Sequence, residues 1–352
     1  MNDIRTSDAG RRVVLGDGLC VIERDAGTVQ IGSDPPQCYV LHNVPPGTAG
    51  VLAALGGPLR IAEVLSRLED SCGGDPEFWS ALLRQLRDAG VLHILPDSPG
   101  PDTSAPVVRP ERVPLSRYYG PDLAQRFLAR RNDALVTIAG TGRVAAGVSS
   151  ILVSAGIGHV HISPDRPLQP VDTAPAGVSA DAGQHLPDRT RLAAVAQRVR
   201  PEVATHPPVP AVPDLVVVAG DGPAEALDVI TLLREGVPHL AAYATGVRGV
   251  IGPLVLPGRS SCLICQQLHR TGWDPAWPTV GRAAGAAVSV PTSCLATMVA
   301  AAAADQVLQF VDGRGEPATV NGTLEWRFGD WRPRRRSWAI HGDCLCRSLP
   351  ER

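Results

Sequence analysis

"IAGTGRVAAGV", residues 138–148, lies between an apolar run and a helix-forming stretch. Gly140, Gly142 and Ala145 satisfy the G-x-G-x-x-[GA] spacing of a dinucleotide-type loop. The first glycine permits a tight turn, the second lets a phosphate approach the backbone, and the small third residue lets helix pack on strand. A phosphate there would meet free N–H groups at the positive end of a helix. Arg143 is a large side chain inside the loop, placed either to clamp a phosphate or to fill its space. Asp165, closing the next apolar run "HVHISPD", stands where a ribose-binding acid belongs. The spacing argues for the fold and leaves occupancy by a nucleotide open.

Downstream the pattern repeats. "DALVTIAG" reads as a strand, 143–156 as a helix and "HVHISPD" as a second strand, a βαβ unit that implies a parallel sheet covered by helices. "RTRLAAVAQRVRP" and "PAEALDVITLLREGVP" read as helices around the strand "DLVVVAG", followed by strands in "HLAAYATG" and "GVIGPLVLP". Residues 318–328 and 335–340 read as antiparallel strands. The most apolar stretch, "CLATMVAAAAADQVLQFV" (294–311), contains Asp305 and Gln306 and reads as a buried helix, not a membrane span. The expected class is α/β, a Rossmann-like domain with a mainly parallel sheet.

Upstream lies a different texture. "RRVVL", "LCVIE" and "TVQIG" are short β-like runs split by glycine turns. "RIAEVLSRLE" carries apolar residues at 61, 64, 65 and 68, one helix face, and "DPEFWSALLRQLRDAGVL" opens with Asp75 as N-cap and Pro76 at the first helical position. Short strands and three short helices describe a small winged-helix-like α+β domain. The expected organisation is therefore a domain over 1–95, a Pro/Ser-rich linker over 96–114 and the α/β domain over 115–352.

Composition excludes several chemistries. The 352 residues carry a net charge of −2, which points to neither nucleic acid nor membrane. Residues 1–100 hold eight arginines against thirteen acids, a poor DNA-reading balance for a winged helix. All 33 basic residues are arginine, so no Schiff base, phosphate-loop lysine or Tyr/Lys dyad exists in this chain. The polar "MNDIRTSDAGRR" is not a signal peptide, which points to a cytoplasmic protein with reduced cysteines. Of eight cysteines, Cys262 and Cys265 form a C-x-x-C knuckle and Cys344 and Cys346 a second pair, a set suited to tetrahedral, structural zinc. Cys20, Cys38, Cys72 and Cys294 read as buried small hydrophobes.

The segments "RYYGPDLAQR", "IAGTGRVAAGV", "AGIGHVHISPD", "PDLVVVAGD", "GPLVLPGRSSCLIC" and "DCLC" resemble the ThiF-like superfamily of adenylyltransferases over about residues 115–347. "GPLVLPGRSSCLICQQLHRTGWDPAWP" with "HGDCLC" is similar to the branch that binds leader peptides in azole- and azoline-modified peptide pathways, and 11–95 is similar to its PqqD-like recognition domain. The resemblance implies a ribose contact at Asp165 and a magnesium-associated acid at Asp221. It also implies an Asn-Leu-x-Arg-Gln segment and a lysine; this chain has "PVDTAPAGVSADAG" (170–183) and Arg189 or Arg191 instead. That departure implies a silent scaffold with a degenerate ATP/Mg site, which presents a precursor leader peptide to a YcaO-type cyclodehydratase. The alternative is a working adenylyltransferase that activates a peptide or carrier-protein carboxylate. The leader would add to an exposed edge strand within 19–32 and a groove beside helix 76–89, with Val29, Ile31, Leu83, Leu86 and Arg87 as contacts. Superfamily members commonly form homodimers. The runs "WRPRRRSW" (331–338) and "LHRTGWDPAWP" (268–278) are left without a role beyond packing or partner docking.

Overall fold

The computed structural model describes residues 10–16, 18–33, 38–95, 106–174, 178–179, 186–206, 211–224, 226–286 and 289–349. The chain divides into two compact units, Met1–Phe127 and Leu128–Arg352.

The first unit holds strands β1 (Arg12–Leu15), β2 (Val21–Asp25), β3 (Thr28–Ile31), β4 (Tyr39–His42), β5 (Leu59–Arg60) and β6 (Leu92–Ile94). They form two antiparallel sheets, ordered β5-β1-β6 and β2-β3-β4. Helices α1 (Thr48–Ala53), α2 (Ile61–Cys72) and α3 (Pro76–Asp88) pack with them. The apolar face of α2 is buried at Ile61, Val64, Leu65 and Leu68, matching the sequence periodicity. In α3 the Asp75 carboxylate accepts from the Glu77 amide at 3.0 Å, the N-cap expected from "DPEF". Trp79 of α3 is fully buried, and its indole N–H donates to the Gly73 carbonyl at 2.7 Å.

Helix α4 (Arg109–Tyr119) occupies part of the stretch expected as linker, and α5 (Pro121–Asp133) runs across the division between units. Pro110 lies in the first turn of α4, where its missing N–H costs nothing, while Pro114 stands inside the helix and removes one i→i−4 bond that the helix forms without. The rest of the expected linker, 96–105, lies outside the described residues.

The second unit is built on β7 (Leu135–Ala139), α6 (Arg143–Ser154), β8 (His159–Ser163), α7 (Asp188–Val199), β9 (Leu215–Gly220), α8 (Ala226–Glu235), β10 (His239–Ala244) and β11 (Arg248–Val255). These are followed by α9 (Leu263–Trp273), α10 (Trp277–Ala286), α11 (Ser293–Asp312), β12 (Gly322–Arg327) and β13 (Asp330–Ser337). One seven-stranded sheet results, ordered β13-β12-β11-β10-β9-β7-β8. Strands β8, β7, β9 and β10 are parallel, and β11, β12 and β13 extend them as an antiparallel wing. Order β8-β7-β9 places a topological switch beside β7, where open α/β sheets bind ligands.

Helix α11 is long and apolar enough to cross a membrane by composition, yet it is a core helix: Leu295, Val299, Ala303 and Val307 are fully buried against the sheet and α6. Burial of the leucine and the valines contributes roughly 1.5–3 kcal/mol each. The C-terminal end of α11 is anchored by an internal ion pair. Arg131 of α5 donates to both Asp312 carboxylate oxygens at 2.9 and 2.8 Å and to the Ala155 carbonyl at 3.0 Å, with the two side chains 1% and 0% exposed.

His239, at the start of β10, is fully buried with its Nδ1–H donating to the Val237 carbonyl at 2.9 Å. Burial pulls its pKa down to about 4 from the ordinary 6.5. The unfolded chain therefore binds the extra proton first. The stability that rests on neutral His239 is complete above pH 6.5 and is lost as pH falls toward 4, by about 3 kcal/mol. His239→Gln is expected to flatten urea midpoints between pH 7 and pH 4.5; an unchanged slope would refute the assignment.

Candidate functional site

The glycine loop connects β7 to α6 as the spacing predicts. Gly140 and Gly142 adopt φ values of +132° and +106°, a region side-chain-bearing residues rarely enter. A Cβ on Gly140 would collide with the Ala219 carbonyl oxygen, and one on Gly142 would sit 2.7 Å from Asp221 Oδ1. The loop opens on a cavity of about 720 Å³ at the C-terminal ends of β7, β8 and β9. Apolar Val216, Val218 and Leu232 line one side, and Gly140, Asp165 and Asp221 the other. Asp165 is exposed at the mouth. The structure thus brings together Gly140, Gly142, Asp165 and Asp221.

Arg143 does not enter this cavity. Its guanidinium donates instead to the Val171 carbonyl at 2.8 Å, the Pro291 carbonyl at 3.2 Å and Ser293 Oγ at 3.3 Å. Arg189 is exposed, and Arg191 is held 3.4 Å from Asp188 on its own helix; neither lines the cavity.

The cation that does enter was not singled out from sequence. Arg166 makes a bidentate pair with buried Asp172, at 2.7 and 2.9 Å, and reaches Asp221 Oδ2 at 2.7 Å. These bonds, Asp172 foremost, hold its pKa above the usual arginine value. Burial pushes the Asp221 carboxyl up, opposed by the Arg166 charge. Asp221 Oδ1 is buried with no hydrogen-bond partner. Among the described lining residues Arg166 is the one cation against two acids. Parts of the 170–183 stretch, 175–177 and 180–183, lie outside the described residues.

The cysteines converge as their spacing predicts. Cys262 and Cys265 at the start of α9 meet Cys344 and Cys346, all four buried, with every sulfur within 4.8 Å of the others. Neighbouring sulfurs lie 3.8, 3.6 and 3.4 Å apart, and all are free thiols. A tetrahedral zinc with Zn–S of about 2.3 Å spaces its sulfurs about 3.8 Å apart, so the set fits such an ion. The Cys262 thiol and the His341 amide, the latter at 3.4 Å, donate to Cys265 and lower its pKa, while burial pushes the Cys346 thiol up. The other cysteines are not core residues: Cys20 and Cys294 are exposed, and Cys38 and Cys72 half-buried. Cys20 directly precedes β2 and Cys294 lies in the first turn of α11, both at the surface.

Four of the five expected peptide contacts are core. Val29 and Ile31 lie on β3, the central strand of its sheet, and point inward; Leu83 and Leu86 form the buried face of α3. Period-two and period-3.6 apolar patterns mark the face that packs, not a face left open for a ligand. Arg87 alone is presented to a cleft, one of about 320 Å³ shared with Ile94, Tyr119 and Leu123.

No protein-family model matches the chain, and no curated protein matches it by sequence. Solved structures do. E. coli MccB with ATP aligns at TM-score 0.71 and 16% identity, over 96% of this chain and 99% of that one. The microcin C7 biosynthetic enzyme MccB with N-formylated MccA aligns at 0.69 and 15% over the same shares. PaaA aligns at 0.65 and 16%, over 92% and 99%. The likeness is one of fold, and it agrees with the α/β, Rossmann-like class expected from the sequence.

Proposed function

We infer that this protein is a precursor-peptide-binding scaffold of a peptide-modifying pathway, with a ThiF-like body whose nucleotide site has lost phosphoryl chemistry. The observation that carries the second half is Arg166. Adenylation needs several cations and a magnesium ion around a triphosphate. Here the acid suited to magnesium is bridged by the chain's own guanidinium, which is itself neutralised by Asp172. The cavity's described lining carries one positive charge against two negative, so the residues do not fit a magnesium triphosphate. The end-to-end likeness to MccB, solved with the MccA peptide, supports peptide handling.

The winged-helix-like, PqqD-like unit supplies the peptide seat. Strand β3 has both neighbours filled, so an added strand pairs with β2 or β4. Glu23, Arg24 and Asp25 line β2 with charge, the way sheet edges are blunted, whereas β4 offers Tyr39, Val40 and Leu41. The Tyr39 hydroxyl donates to the Ala89 carbonyl at 2.8 Å and brings β4 beside the end of α3. We place the leader on β4, with Arg87 nearby on α3, and a YcaO-type partner, which supplies the ATP chemistry, on the second unit. The four cysteines hold structural zinc, and the chain pairs as a homodimer like other members of the superfamily.

A second reading, an active adenylyltransferase, rests on Asp221 Oδ1, a buried oxygen with no partner. Calorimetric titration of Mg-ATP and ATP–pyrophosphate exchange separate the two. The scaffold shows no saturable binding up to millimolar ATP and no exchange. Micromolar binding that is lost in Asp165→Ala, together with exchange, would overturn it. For the peptide half, Arg87→Glu is expected to weaken about tenfold the binding of a fluorescein-labelled leader peptide that the wild type binds, read by fluorescence anisotropy.

A further inference from the structure

The antiparallel wing carries a second recognition surface, remote in sequence from the glycine loop. "LHRTGWDPAWP" becomes the end of α9 and the start of α10, and "WRPRRRSW" becomes β13; the fold brings them together. Trp273 stacks on Trp338 at 5.6 Å, and the Arg270 guanidinium lies 4.8 Å from the Trp277 ring centroid and 5.2 Å from that of Trp338. Arg270 is half-buried, yet among the described residues its guanidinium has no hydrogen bond and no ion pair; aromatic faces are its company. Burial costs this cation part of its water, and Glu325 in the same cleft acts on it only from beyond ion-pair distance, so an anionic ligand in direct contact is favoured. Arg327, across the same cleft, likewise has no ion pair among the described residues, whereas Arg248 and Arg336 share Glu325 at 2.8 and 3.7 Å.

The cleft of about 590 Å³ that holds Arg270 and Trp277 continues into a second of about 260 Å³ along β13, the two sharing Glu325, Arg327 and Arg336. Together they are lined by seven arginines and three acids, on a chain whose net charge is −2. Val247, Trp273 and Phe328 on the rim are 67%, 65% and 58% exposed. β13 is the last strand of the sheet, and its outer backbone groups have no strand partner among the described residues. Charge on an edge strand by itself guards against aggregation. That role explains neither an unpaired arginine on a helix nor exposed aromatic side chains beside it.

We propose that this trough binds an acidic peptide segment of a partner protein, laid extended along β13. Its carboxylates meet Arg270 and Arg327, and an apolar side chain rests on Trp273 and Phe328. The trough's length favours a chain over a small molecule. Glu325 and Asp330 inside it repel a uniformly charged nucleic-acid backbone but tolerate a peptide that alternates acidic and apolar residues. The inference stands apart from the nucleotide reading.

The probe is a fluorescein-labelled peptide Glu-Phe-Asp-Leu-Glu-Phe-Asp, followed by anisotropy against the full-length protein, with a twin carrying Gln and Asn in place of Glu and Asp. The expected result is saturable binding, at least tenfold weaker for the neutral twin. Arg270→Gln and Arg327→Gln should each weaken it about fivefold, and exposed Arg327 keeps the test informative should Arg270→Gln misfold. Equal binding of both peptides, or wild-type affinity in the Arg327→Gln variant, overturns the proposal. So does displacement of the peptide by an oligo-dT strand that binds more tightly. A dimer that buries the trough and is dispersed by Arg327→Gln assigns the surface to a second copy of the chain, and overturns it equally.

Discussion

Cys344→Ser is expected to release bound zinc and to lower the unfolding free energy of the second unit by about 4 kcal/mol or more, on the order of 10 °C in Tm. The four sulfurs converge from the start of α9 and from residues beyond β13, and Cys262 and Cys344 are 82 residues apart. An ion there closes a long loop of chain, and among the described residues no further cysteine joins the cluster. Metal analysis should give one zinc per wild-type chain and none in the variant. EDTA should reproduce the loss of stability in the wild type, and Cys294→Ser, at an exposed position, should leave both readouts unchanged. A metal-free wild type of the same Tm would refute the site.

Asp312→Ala is expected to cost about 3–5 kcal/mol, because it leaves the buried Arg131 guanidinium charged and without its carboxylate. Arg314 also donates to Asp312, at 2.6 Å, so the carboxylate serves two cations. The double replacement Arg131→Met with Asp312→Leu should recover most of the loss, since an apolar pair of similar volume carries no desolvation penalty. Urea denaturation of the three variants gives the coupling directly. A single-variant cost below about 1 kcal/mol would mean that water reaches the pair.

What was legible in the sequence was local. The Gly140–Ala145 spacing, the Asp75 cap and the apolar runs of β7 and β9 are written within a few residues, and local geometry follows from them. The cysteine set was legible because two short-range pairs leave one plausible way to complete a tetrahedron. Arg166 was passed over: its role depends on Asp172 and on Asp221, 55 residues away, and no local pattern records that approach. Its one trace was a cation immediately after Asp165. Val29 and Ile31 failed for another reason. Alternation identified the buried face of β3, but which strand lies at an edge is decided by pairing with β4, a strand the periodicity did not flag. The tryptophan–arginine trough combines two runs that were each conspicuous alone, and only the fold joins them.

The thiol cluster also sets an order of events during synthesis. Two of its sulfurs emerge from the ribosome with α9, and their partners follow only after the whole wing has been made. Until residue 346 is free, the knuckle at Cys262 and Cys265 can hold an ion by two sulfurs alone, and the wing strands lack their final tether. Closure of the second unit would then wait on an ion held by all four sulfurs, and metal depletion is expected to leave β12 and β13 more open to proteolysis than the parallel strands.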